Sequence, residues 1–132
     1  MIIKHRNGSV ITNQYASVAD AVRAGVELAY ANLAYANLTG ADLQFAVLTG
    51  ANLTGANLAY AKLSHANLAY ANLAYANLAY ANLTGAKLSG ANLAYAKLSH
   101  ANLTGANLAK AKLSRANLTG AVIFVGNRCV TL

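Results

Sequence analysis

Residues 66–85 read ANLAY, ANLAY, ANLAY, ANLTG: four consecutive five-residue units, each with leucine at its centre. The same register runs without insertion or deletion from Val26 to Val125, giving 20 units over 100 residues. Leucine holds the third place of every unit from Leu28 to Leu118, and Ile123 takes it in the last. Alanine holds the first place throughout except in the opening unit, where Val26 stands. An α-helix has no use for this period. At about 100° per residue, five residues advance about 500°, so successive leucines would sit about 140° apart around the cylinder. An extended chain can use it: the first and third residues of A-x-L share one side and the second points away. The last two places often read Thr-Gly, Ser-Gly or Ser-His, which suit a corner.

If each corner turns about 90°, four units close a coil of 20 residues, and the 20 units make about five coils with Leu and Ala inside. Backbone groups then pair with the coils above and below at about 4.7–4.9 Å, which predicts a rod of roughly 25 Å without its ends. One coil buries almost nothing alone; stacking creates the core. The expected fold is an all-β solenoid.

Tandem A-(N/D)-L-x-x units of this kind resemble the pentapeptide repeat family, and the resemblance spans residues 26–125. It implies a right-handed quadrilateral parallel β-helix, in which the hand and the square section come from the resemblance and not from the spacing. After Glu27 in the opening unit, the second place departs from Asn or Asp at Lys62, Lys87, Lys97 and Lys112 and at Val47 and Val122. Each of those lysines is followed by Leu-Ser. Such uniformity fits either recent duplication of a few modules or a consensus-designed sequence.

Solenoids expose a strand edge at each end, which invites aggregation unless covered. Residues 1–25 read as a cap. Ile2–Arg6 and Ser9–Asn13 flank Asn7-Gly8, a strong hairpin signal. Ser17-Val18-Ala19-Asp20 then opens a short helix that Gly25 would end. The chain thus divides into a cap (1–25), a repeat β-helix (26–125) and a tail (126–132). The last unit, Ala121-Val122-Ile123-Phe124-Val125, is apolar where other units are polar, and only seven residues follow it. Two readings stand: the tail folds back as a plug, or Val122, Phe124, Val125, Val130 and Leu132 meet a second copy.

Composition narrows the function. The single cysteine, Cys129, can form no intramolecular disulfide and has no partner thiol for a metal site, which fits a reducing, cytoplasmic setting. No apolar run follows the early charges, so a secretory signal is not expected, and no stretch is long enough for a membrane span. The net charge of +7 is uneven: residues 1–60 sum to zero, while residues 61–132 hold seven Lys and Arg and no acid.

Ser64-His65 and Ser99-His100 look like nucleophile–base pairs but lack an orienting acid, the only acids being Asp20, Glu27 and Asp42. They read as corner residues. The three histidines and one cysteine have no metal-ligand spacing, and no glycine-rich phosphate loop precedes a helix. No catalytic, cofactor or metal site is expected, and a Leu-filled interior leaves no room for a small-molecule substrate. At the 20-residue period, Tyr35, Tyr75 and Tyr95 fall in one column and Tyr60 and Tyr80 in another. Such columns either offer a contact surface or shield the backbone of neighbouring coils.

Three function classes follow. The first is a non-enzymatic scaffold that presents a rigid surface to a protein partner and self-associates through its C-terminal coil, as a dimer or else a filament. The second comes from the resemblance: some family members bind DNA gyrase by imitating duplex DNA. That needs an anionic surface, and these repeats offer Glu27 and Asp42 against six Lys and Arg. The third is a basic scaffold binding nucleic acid or anionic surfaces without sequence preference, although the cations fall on all sides and do not line one groove.

Overall fold

The computed structural model describes residues 3–5, 8, 10–12, 17–125 and 127–132. Its elements are β1 (Ile3–His5), β2 (Val10–Thr12), α1 (Val18–Arg23), β3 (Ala31–Asn32), β4 (Val122–Val125) and β5 (Arg128–Thr131). Between β3 and β4 the chain pairs one residue at a time. Each second-place residue from Asn32 to Asn102 bridges in parallel to the residue 20 positions on, as in Asn32–Asn52–Asn72–Asn92–Lys112. Four such ladders run side by side, through Asn32, Asn37, Asp42 and Val47. The bridges stay short because a corner follows every A-x-L segment.

The hydrogen bonds of residues 72–76 show how the backbone is satisfied. Asn72 N–H donates to the Ala51 carbonyl at 2.9 Å, and Leu73 N–H donates to that of Asn92 at 2.7 Å. Tyr75 N–H reaches the Ala94 carbonyl at 3.0 Å, and Ala76 N–H closes the corner onto the Leu73 carbonyl at 3.0 Å. That leaves Ala74 N–H, which donates to Asn72 Oδ1 at 3.1 Å. Asparagine is therefore common at the second place for a backbone reason: its side chain accepts the one N–H that the neighbouring coils do not. Where threonine takes the fourth place, its hydroxyl can add a second bond, as from Thr54 Oγ1 to Asn52 Oδ1 at 2.7 Å.

Corners have the form of a turn whose third residue needs positive φ. Glycine fills that place at seven units, from Gly40 to Gly120, and twelve others hold Tyr, Phe, His, Lys or Arg at φ of 56–60°. Left-handed backbone at a non-glycine residue is unfavourable by about 1–2 kcal/mol. Closure of the Ala and Leu interior over-determines it. From Leu43 to Leu103 no interior leucine is more than 1% exposed. No charged or polar residue is buried among the described residues.

At the N-terminal end β1 lies between β2 and β3, antiparallel to both, with Lys4 opposite Asn32 and His5 opposite Ala31. The expected turn residue Asn7 and the strand ends Ile2, Arg6, Ser9 and Asn13 lie outside the described residues. Helix α1 is capped by Ser17, whose hydroxyl oxygen accepts from Asp20 N–H at 3.0 Å. It ends at Gly25, φ +84°, with Gly25 N–H bonded to the Val22 carbonyl and Val26 N–H to that of Ala21. Val18 and Ala21 are the buried side of this helix.

The C-terminal end is built differently. Val122 still bridges to Asn102, but Val125 makes no positive-φ corner, since a β-branched residue strongly resists that conformation. The chain instead runs on as β4 and returns as β5, with Val122 opposite Thr131, Ile123 opposite Val130 and Phe124 opposite Cys129. Neither reading of the tail named this hairpin. It covers one ladder edge only, where Leu132 N–H donates to the Ala121 carbonyl at 2.8 Å and Gly120 N–H to that of Leu132.

Candidate functional site

The last coil, residues 106–125, leaves the interior open. Leu108, Leu113, Leu118 and Ile123 are only partly buried, whereas their counterparts one coil earlier, Leu88, Leu93, Leu98 and Leu103, are at most 1% exposed. Its edge is open as well. The N–H groups of Leu108, Lys110, Leu113, Arg115 and Leu118 have no partner among the described residues, and neither have the carbonyls of Ala106, Ala111 and Ala116. In the three preceding coils, residues 46–105, the equivalent groups from these ladders bond to the next coil.

Strand alternation separates the interface residues expected from sequence. Val130 faces the same side as Ile123, toward the interior, and the chain ends at Leu132, 48% exposed. Val122 and Phe124 face outward, at the rim; Phe124 is 48% exposed and lies opposite Cys129, itself exposed. The side chain of Val125 lies outside the described residues. Sequence reading missed the centre of this surface, the leucines of the last coil. The signal was present: those units carry the same interior Ala and Leu as all the others.

Tyrosine columns are shorter than the period suggests. Tyr75 and Tyr95 stack with centroids 4.9 Å apart, and the Arg115 guanidinium carbon lies 5.7 Å from the Tyr95 centroid. Tyr35 stands apart from that stack, its ring lying over Gly55, where an added Cβ would meet Tyr35 Cε1 at 2.6 Å. Tyr60 and Tyr80 stack at 5.0 Å, and His100 continues the column at 4.8 Å from Tyr80. Tyr30, Tyr70, His65 and His100 likewise lie over Gly50, Gly90, Gly85 and Gly120. Each ring covers the corner of the next coil, so these residues do shield backbone, yet Tyr35 is 78% and Tyr75 62% exposed.

Elsewhere the surface offers little chemistry. His65 packs on Phe45 at 5.3 Å and His100 on Tyr80, so each imidazole stacks on an aromatic ring rather than facing a nucleophile and an acid. Asp42 accepts from the Gln44 side chain at 3.0 Å and from Gln44 N–H at 3.3 Å. These bonds, with Lys62 nearby, hold its carboxyl below the usual carboxylate range. Shallow grooves run beside α1, one lined by Val18, Ala36 and Leu38 and another by Arg23, Asp42 and Phe45. Among the described residues no helix is long and apolar enough to cross a membrane, and no His, Cys, Asp and Glu group has the clustering of a metal site.

The family profile described as pentapeptide repeats matches residues 24–58, 51–90 and 86–123 in 8 copies. A comparison with curated proteins finds no match. Among solved structures, the chain is 40% identical to HetL, a pentapeptide repeat protein involved in heterocyst differentiation regulation in the cyanobacterium Nostoc sp. strain PCC 7120. That match covers 70% of this chain and 48% of HetL, with a TM-score of 0.43. A second pentapeptide repeat protein of Nostoc PCC 7120 is 34% identical over 76% of this chain and 78% of its own, with a TM-score of 0.48. A third, from the cyanobacterium Cyanothece 51142, is 35% identical over 73% of this chain and 61% of its own, with a TM-score of 0.42. The chain therefore spans about half of HetL and about three-fifths of the Cyanothece protein. With its 20-residue parallel ladders, its Ala and Leu interior and this profile match, the chain belongs to the pentapeptide repeat family.

Proposed function

We propose that this chain is a non-enzymatic interaction scaffold, a right-handed quadrilateral β-helix of five coils, that self-associates through its C-terminal end. The observation carrying this reading is the last coil, with Leu108, Leu113 and Leu118 half-open and three ladder edges without a partner among the described residues. An extended peptide is a poor occupant. It could follow one A-x-L segment before the edge turned a corner, and would leave the other ladders unpaired. A second end of the same shape pairs with all of them. The opposite end carries β1 and β2 on one of its ladders, so a symmetric contact that uses the open end twice closes as a dimer. Val130 and Leu132 would lie within that contact and Val122 and Phe124 at its rim. The exposed rings of Tyr35, Tyr75, Tyr95, Tyr60 and Tyr80 are the surface left for a protein partner, and the lone exposed Cys129 suits a reducing, cytoplasmic setting.

Imitation of duplex DNA is the weaker reading because the repeats are cationic. Light scattering tests the proposal: the protein gives a dimer, and Leu113→Lys, with unchanged circular dichroism, gives a monomer. A monomeric wild type overturns self-association, and long particles would replace the dimer by a head-to-tail filament.

A further inference from the structure

The open end carries a charge that a second copy does not explain. Around the half-exposed Leu108, Leu113 and Leu118 stand Lys110, Lys112, Arg115 and Arg128, all exposed. Lys87 and Lys97 stand one coil behind them. The chain's only acids, Asp20, Glu27 and Asp42, belong to the cap and the first coil at the other end. Two such ends placed face to face would bring like charges together; a surface of anionic groups would not.

We infer that the C-terminal end also docks, end-on, to an anionic lipid bilayer, with the last-coil leucines at the headgroup boundary and Lys110, Lys112, Arg115 and Arg128 on the headgroup phosphates. Three features of the end favour this occupant. Its centre is apolar, which suits the boundary between headgroups and acyl chains. Its rim is cationic, and each Lys or Arg near an anionic membrane raises affinity roughly fivefold. Its backbone edge includes N–H groups without a partner among the described residues (Leu108, Lys110, Leu113, Arg115 and Leu118), and phosphate oxygens accept. Arg115 is held in advance by the Tyr95 ring, itself stacked on Tyr75. Nucleic acid fits less well: it supplies phosphates but nothing apolar for the leucines, and the cations do not line one groove. The bilayer and the second copy use the same face, so they exclude each other.

The test is co-sedimentation of the full chain with vesicles of phosphatidylcholine alone and of phosphatidylcholine with phosphatidylserine, at about 0.1 M salt, where screening acts over about 10 Å. The variant Lys110→Gln, Lys112→Gln, Arg115→Gln changes only exposed side chains and keeps the fold by circular dichroism. The expected result is binding to the serine-lipid vesicles alone, weakened about a hundredfold in the variant from roughly fivefold per charge. No binding, equal binding to both vesicles, unchanged binding by the variant, or binding to duplex DNA but not to vesicles would each overturn the inference. Mass in vesicle-free buffer is a separate readout. A dimer that ignores vesicles sinks only this inference, and a monomer that binds them sinks only self-association.

Discussion

Replacing Leu73 by alanine removes three carbons from a side chain that is 0% exposed, in a column of leucines on both sides. Lost transfer free energy is about 0.8 kcal/mol per methylene, hence about 2.4 kcal/mol. A cavity that stacked coils cannot easily close adds to this, and the expected loss is about 3–5 kcal/mol. The neighbouring change, Asn72→Ala, leaves the core intact. It removes the acceptor for Ala74 N–H at 3.1 Å and for Asn92 Nδ2 at 3.3 Å, both part-buried. Hydrogen bonds of this kind contribute about 0.5–1.5 kcal/mol each, so the loss should be about 1–2 kcal/mol with solvent partly replacing the acceptor. Urea unfolding followed by tyrosine fluorescence gives both values, with equal m-values required for the comparison. Equal losses, or a larger loss for Asn72→Ala, would refute the assignment of inside and outside.

Three further outcomes follow from the same geometry. Gly90→Ala and Gly40→Ala both place a side chain at positive φ, but the new Cβ meets the Tyr70 ring at 2.7 Å at position 90 and nothing within 4 Å at position 40. Thermal melting should therefore show the larger loss at 90, and Tyr70→Gly should reduce the difference. Nuclear magnetic resonance should place the Asp42 titration below the ordinary carboxylate range, and Gln44→Ala should return it upward. Because its folded value is the lower one, Asp42 contributes stability above the unfolded carboxylate pKa and loses it as pH falls through the folded value. His65→Ala should leave the particle mass measured by light scattering unchanged, since its ring packs on Phe45 and over Gly85, away from the open end.

How much of this was legible in the sequence depends on the scale of the signal. The closed part of the interior was visible, because Ala at the first place and Leu at the third repeat without a break from Ala31 to Leu118. The corners were half visible. Thr-Gly and Ser-Gly announce a turn, but Tyr at the same place does not, since left-handed tyrosine is stable here only because neighbouring coils fix the backbone. The reason for Asn at the second place was invisible, because it lies in a bond to the backbone two residues on. The column of Tyr35, Tyr75 and Tyr95 was drawn from the period alone, which says nothing of the ring over Gly55 that separates Tyr35 from the other two. The tail hairpin escaped for a related reason. Val122-Ile123-Phe124-Val125 keeps the repeat register, and only the reluctance of valine to take positive φ marks it as the place where coiling stops.

The stacking of each residue on the one 20 positions later is tested most directly by paired cysteines in a Cys129→Ser background. Asn72→Cys with Asn92→Cys places two thiols on bridged neighbours of one ladder. A parallel bridge brings their Cα atoms within the roughly 4.4–6.8 Å that a disulfide spans. Asn72→Cys with Asn82→Cys places them on different ladders, half a coil apart in sequence. Mild oxidation followed by mass spectrometry of the monomer should show an intramolecular disulfide in the first pair and free thiols in the second. Crosslinking in the second pair, or its absence in the first, would contradict the solenoid and the open end that depends on it.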